Sequence, residues 1–192
     1  MSHLVLASGS PRRRQLLETL GAEFEVRPAD VDESSRPGEH PHELVERLAR
    51  AKASLQVSPG EVVLGADTVV VHEGHVLGKP AHPAEAHSML RHLSGAVHHV
   101  ASGVAVAVIE DGRVAMESLV VTALVRMALM TDDEISAYVA TGEPLDKAGA
   151  YAIQEKGGLF VEAIEGHPTT VVGLPLPDTR RLLARRGVHV LG

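Results

Sequence analysis

Leu4-Val5-Leu6-Ala7-Ser8-Gly9-Ser10-Pro11-Arg12-Arg13-Arg14-Gln15-Leu16-Leu17 reads as a buried strand, a tight turn of small residues and a basic helix start. Gly9 permits backbone conformations closed to other residues, and Ser10 followed by Pro11 is a helix start signal, with serine as N-cap and proline in the first helical position. Three arginines in the first turn oppose the helix dipole, which already places partial positive charge at that end. A bound anion would resolve the mismatch. A polyphosphate would accept from the unsatisfied N–H groups of the helix end and from the forked guanidinium donors together. The plainer alternative is an ordinary strand-to-helix turn with solvated arginines.

Working outward, Phe24 to Pro28 alternates like a short strand, and Asp30-Val31-Asp32-Glu33-Ser34-Ser35 is an acidic loop. A helix is expected from Pro41, with Leu44, Leu48, Ala51 and Leu55 as its apolar stripe. Lys52 falls at the edge of that stripe, where it either snorkels to water or serves a cleft. Glu61 to Val71 is nearly continuous apolar sequence, the pattern of a strand covered on both faces, interrupted by Asp67-Thr68. Glu73-Gly74 predicts a hairpin turn, and Gly78-Lys79-Pro80 a fixed loop, because the residue before proline is extended. A helix over Pro83 to Leu93 and its stop at Ser94-Gly95 lead into Val97–Ile109 and Val114–Met127. These two stretches are joined at Asp111-Gly112 and predict an antiparallel hairpin. Thr131-Asp132-Asp133-Glu134 is a capping box for a helix ending at Gly142. Residues 144–154 fit neither period and read as a loop packed close to something. Leu159 to Ile164 reads as a strand, 171–175 as an apolar turn, and Asp178 to Arg186 as a last helix.

The chain has 192 residues, enough for one sizeable core or two small lobes, and a single domain over 1–192 is the expectation. Its hydrophobic content of 44% includes only 2 Phe, 2 Tyr and no Trp, so Ala, Val and Leu must build the core, as α/β layers permit. A net charge of −7 lacks the broad basic field that duplex nucleic acid or an anionic membrane would require. The absence of cysteine removes disulfides and thiolate metal sites. With no signal-like or membrane-length apolar run, a cytoplasmic, soluble protein is expected.

Asp67 is the leading chemical candidate, since a carboxylate inside an apolar run is either desolvated at a cost or opens onto a polar site. The alternative is a turn aspartate after Gly65. Asp67 would orient a water or hold a hard divalent cation, with Asp32 or Glu33 as a second oxygen ligand. The twelve histidines offer no zinc motif: His72-Glu73-Gly74-His75 straddles a turn, and His98-His99 point to opposite faces of a strand. No Gly-x-Ser-x-Gly elbow is present.

Five motifs occur in order: Ser8-Gly9-Ser10-Pro11-Arg12-Arg13, Gly65-Ala66-Asp67-Thr68, Gly78-Lys79-Pro80, Asp146-Lys147-Ala148-Gly149-Ala150-Tyr151 and Val172-Gly173-Leu174-Pro175. Together they resemble the Maf (septum formation inhibitor) family, from about Leu4 to about Leu183. The resemblance implies an α/β fold of the inosine triphosphate pyrophosphatase kind, a mixed twisted sheet with flanking helices and two lobes around a deep cleft, commonly as a homodimer. The implied activity is metal-dependent cleavage of nucleoside triphosphates between the α and β phosphates. Arg12, Thr68 and Gln154 match the specificity positions of the branch acting on dTTP and UTP. Departures stand at Ala152, Glu155, Pro168 and Thr170, and bear on base preference rather than on the chemistry.

The same resemblance implies that Arg12, Arg13, Lys52 and Lys79 neutralise the triphosphate. Ser8 and the turn amides would hold phosphate oxygens, Asp67 would be the base for the attacking water, and Asp67 with Glu33 would hold Mg²⁺ or Mn²⁺. Two other functions stand beside this one: a nucleotide-binding regulator of cell division with incidental hydrolysis, and a nucleotidyltransferase that needs an acceptor.

Overall fold

The apolar run after His3 forms β1 (His3–Leu6) in a computed structural model that describes residues 3–55 and 57–190. It is followed by α1 (Pro11–Glu18), β2 (Glu25–Val26), α2 (Pro41–Leu55), β3 (Glu61–His72), β4 (His75–Leu77) and α3 (Pro83–Leu93). The chain continues through β5 (Val97–Glu110), β6 (Arg113–Met127), α4 (Asp132–Ala140), three 3₁₀ turns between Glu143 and Phe160, β7 (Val161–Glu165), α5 (Pro168–Val172) and α6 (Leu176–Arg185). Among the described residues the strands hydrogen-bond in the order β2-β1-β3-β5-β6-β7, with β4 on β3. The sheet is mixed: β1 pairs in parallel with β2 and β3, whereas β4 on β3 and β7 on β6 are antiparallel.

Local signals placed most boundaries. Ser10 caps α1 by accepting from the Arg13 amide at 3.5 Å, with Pro11 as the first helical residue. Glu73 (φ 49°) with Gly74 (φ 78°) and Asp111 (φ 48°) with Gly112 (φ 72°) make the two tight turns, which require left-handed backbone at both central positions. A two-residue link between neighbouring strands makes β5 and β6 antiparallel, as expected. The capping box is complete, with Thr131 accepting from the Glu134 amide and Glu134 accepting from Thr131.

Other boundaries moved. Asp67 and Thr68 do not interrupt the apolar run, because both lie inside a continuous twelve-residue β3. The strand expected from Leu159 starts at Val161, since Lys156–Phe160 wind into a 3₁₀ turn. Part of the apolar turn at 171–175 belongs to the short helix α5, and α6 begins two residues before Asp178.

The chain divides into two compact units. The first comprises Met1–Asp67, Ser102–Val121 and Gly173–Gly192; the second comprises Thr68–Ala101 and Thr122–Val172. In the first, α2 lies hard against the sheet because Gly65 and Gly103 have no side chains. A Cβ on Gly65 would collide with the Ala49 carbonyl and lie 2.7 Å from the Ala53 amide, and one on Gly103 would collide with the Val45 carbonyl. Ala49, Ala53, Ala105 and Ala107 fill this narrow layer. Small residues therefore set the distance between helix and strand, as close-packed interiors demand. The second unit has a core in which Leu90, Leu93, Val125, Met127, Ile135 and Tyr151 are buried.

Candidate active site

The close seating of α2 on β3 fixes where Lys52 ends. Its side chain does not snorkel outward: Lys52 is buried, and its Nζ donates to Asp67 Oδ1 at 2.7 Å and to Glu33 Oε1 at 2.6 Å. Asp67 projects from β3 and is buried as well, whereas the Glu33 side chain is 60% exposed. A carboxylate and an ammonium taken out of water together need each other, since either one alone would carry an uncompensated charge. Glu33 closes the third corner from the acidic loop. Asp32 does not join it, and instead accepts from the Ser34 amide at 2.9 Å.

Arg13 lies beside this trio. Its Nε donates to the Gly173 carbonyl at 2.9 Å and its Nη1 to Ser8 Oγ at 3.2 Å, which holds the guanidinium in a defined plane. Burial lowers its pKa from the ordinary arginine value, and Asp67 and Glu33 oppose that shift. Gly173 has φ 116°, a conformation available to glycine, and so can present its carbonyl to α1. Ser8 is buried and also accepts from the Ser10 amide at 3.3 Å. Arg12 is half-buried on the same first turn. The first unit thus assembles Ser8, Arg12, Arg13, Glu33, Lys52 and Asp67 from a strand–turn–helix, an acidic loop, α2 and β3.

Thr68, Lys79 and Gln154 belong to the second unit. Thr68 is half-buried in β3, Lys79 is exposed on the segment between β4 and α3, and Gln154 is exposed on a turn before the last 3₁₀ segment. The 147–151 stretch is packed close, as its small residues implied. Gly149 (φ 69°) donates its amide to the Gly78 carbonyl at 3.1 Å, and a Cβ there would lie 3.0 Å from Val70. Lys147 is buried and pairs with Asp146 and, at 3.7 Å, with Glu155. Lys147 lies inside one of the five motifs, and its residue type alone marks no role for it. The Gly173 carbonyl was missed for a different reason, because no side-chain pattern marks a backbone acceptor.

Hard carboxylate oxygens are the ligands that Mg²⁺ and Mn²⁺ prefer, and Mg²⁺ is commonly held by one or two carboxylates with phosphate oxygens and water completing its shell. The Asp67 and Glu33 carboxylates, joined through one ammonium, fit that donor set. Among the described residues no group of three or more His, Asp or Glu side chains could hold a metal ion, so the other ligands of such an ion would come from substrate and water.

The fold and this arrangement of carboxylates and cations define an α/β protein with a buried carboxylate–ammonium pair beside a fixed guanidinium. A HAM1 protein from Coxiella burnetii has a related fold, with a TM-score of 0.51 at 18% identity, covering 96% of this chain and 100% of that one. The family described as Maf-like protein matches residues 3–186. A relative from Anaeromyxobacter dehalogenans (strain 2CP-C) is 54% identical over 96% of this chain and 94% of its own length. Others, from Moorella thermoacetica and Myxococcus xanthus, are 52% and 50% identical over 100% and 96% of this chain and 99% and 93% of theirs. All three are named dTTP/UTP pyrophosphatase. The chain belongs to the Maf family.

Proposed function

We propose that this protein hydrolyses nucleoside triphosphates, dTTP and UTP foremost, between the α and β phosphates. The observation that carries the chemistry is the pairing of buried Asp67 with Lys52 beside a fixed Arg13. The names of relatives half identical to it over nearly the whole chain support the substrate. In the proposed reaction Asp67 accepts a proton from a water molecule as the water oxygen bonds to the α phosphorus. The bond from that phosphorus to the α–β bridging oxygen breaks, and pyrophosphate leaves with the electron pair. Lys52 holds the Asp67 carboxylate in place, while Arg12, Arg13 and Lys79 compensate phosphate charge, which is most of what phosphoryl transfer asks of a protein.

Asp67 and Glu33 would hold Mg²⁺ or Mn²⁺, whose charge would further neutralise the phosphates. Thr68, Arg12 and Gln154 would read the nucleotide, with the Gln154 amide offering both a donor and an acceptor to a uracil or thymine edge. Among the described residues no helix is long and apolar enough to cross a membrane. A homodimer and a cytoplasmic location belong to the same proposal on the family resemblance, and sedimentation would measure the first.

The test is release of pyrophosphate from each common nucleoside triphosphate by the purified protein in water, with and without added Mg²⁺ or Mn²⁺. Turnover of dTTP and UTP to monophosphate and pyrophosphate is expected. Stoichiometric binding without turnover, or a requirement for an acceptor molecule, would refute it.

A further inference from the structure

The turn that carries Gln154 is held from outside by one carboxylate. Glu143, at the start of the first 3₁₀ turn, accepts from three donors: the Lys156 amide at 3.1 Å, the Gly157 amide at 3.0 Å and the Tyr138 hydroxyl at 2.7 Å. Tyr138 in turn accepts from the Ala152 amide at 3.3 Å. Backbone groups on both sides of Gln154 are therefore tied to the Glu143–Tyr138 pair. Gly157 shows how tightly the pieces meet, since a Cβ there would stand 2.5 Å from the Tyr138 hydroxyl and 2.8 Å from the Ala152 amide.

The ties to the turn are made by the Glu143 carboxylate and the Tyr138 hydroxyl, not by the Tyr138 ring. Tyr138 already packs its ring among buried residues and against Phe160 at 5.5 Å, so its hydroxyl is a separate contribution. A charged acceptor also makes stronger hydrogen bonds than a neutral one, which suits a device that must fix a turn rather than merely bury it.

We infer that Glu143, through Tyr138 and the turn amides, is a positioning residue for pyrimidine recognition: it sets the place of the Gln154 amide without touching the nucleotide. This rests on the reading of Gln154 as the base-reading residue. A base-reading amide discriminates only when it is held still, and misplacement by about 1 Å can cost up to about 10²-fold.

The test compares kcat and KM for dTTP, UTP and CTP in the wild type, Glu143→Ala, Gln154→Ala and the double variant. Glu143→Ala is expected to narrow the lead of dTTP and UTP over CTP by roughly 10-fold, through KM, while kcat for CTP is kept. The double variant should be no less selective than Gln154→Ala alone, because Glu143 acts through Gln154. If Gln154→Ala narrows the lead and Glu143→Ala does not, or if the two effects add, the positioning role is overturned and the base reading stands. A Gln154→Ala protein with unchanged selectivity overturns both. Should Glu143→Ala fail to fold, Tyr138→Phe removes the hydroxyl and keeps the ring. It is expected to shift selectivity in the same direction, and wild-type selectivity or an equal loss on all three nucleotides would refute the proposal.

Discussion

The ammonium of Lys52 and the carboxylate of Asp67 meet at 2.7 Å, both buried, with one on a helix and the other in the middle of a long strand. Removing Lys52 leaves the Asp67 charge buried without the ammonium that pairs with it, whereas removing Asp67 leaves Lys52 still paired with Glu33 at 2.6 Å. Lys52→Met is expected to destabilise the protein by about 3 kcal/mol, as broken buried pairs do, and to abolish turnover. Chemical denaturation checks the first, and an unchanged midpoint would show that Asp67 rehydrates at little cost.

Asp67→Asn keeps shape while removing the proposed base and half of the carboxylate pair. Turnover should fall by roughly 10² or more, with nucleotide binding retained. Calorimetric titration beside pyrophosphate release separates the two quantities. Near wild-type turnover would remove Asp67 from the mechanism.

Arg13→Lys keeps the charge but loses the fork that joins Gly173 and Ser8. An increase of roughly 10-fold in KM for the triphosphate is expected, since lysine cannot reproduce a planar two-point contact. A change confined to melting temperature would make Arg13 structural.

Gly65→Ala tests how the helix is seated. Its Cβ would strike the Ala49 carbonyl, so α2 must move off β3 and carry Lys52 away from Asp67. A loss of at least about 1–3 kcal/mol together with lost activity is expected, the range for overpacked interiors. Gly78→Ala is the control, because nothing lies within 4 Å of its Cβ position, and it should be neutral in stability.

In the second unit, His98 is fully buried with Nε2 2.8 Å from the Tyr151 hydroxyl, and its Nδ1 has no hydrogen-bond partner. Burial, helped by His72 and His99, pushes its pKa down to about 4 from an ordinary 6.5. The unfolded chain therefore binds a proton that the folded chain refuses. The stability from neutral His98 is complete above pH 6.5 and is lost as pH falls toward 4, on the order of 3 kcal/mol. Denaturation midpoints from pH 4 to 8 should show this slope, and His98→Gln should flatten it.

Most elements were legible because their causes are local. Serine and proline at positions 10 and 11, the two tight turns with left-handed backbone and the Thr131 capping box each act within four residues, so the local order of residues reveals them. The continuity of β3 through Asp67 was not legible. An aspartate in a strand looks like an interruption until its partner is known, and that partner comes from another element. Residues 156–160 escaped for a related reason, since Gly157 and Gly158 are there for close approach to Tyr138, Ala152 and Ile153 rather than to break a strand.

The sequence by itself determined which residues are the candidates for the chemistry. An acidic residue in an apolar run, arginines against a helix dipole and five ordered motifs are properties of residue type and spacing. Tertiary structure alone decided the partners. Lys52 turned inward rather than to solvent because Gly65 and Gly103 let α2 approach the sheet without intervening side chains. Arg13 was fixed by a carbonyl 160 residues away. Charge and propensity are written locally, whereas the distance between two charges depends on how closely separate elements pack.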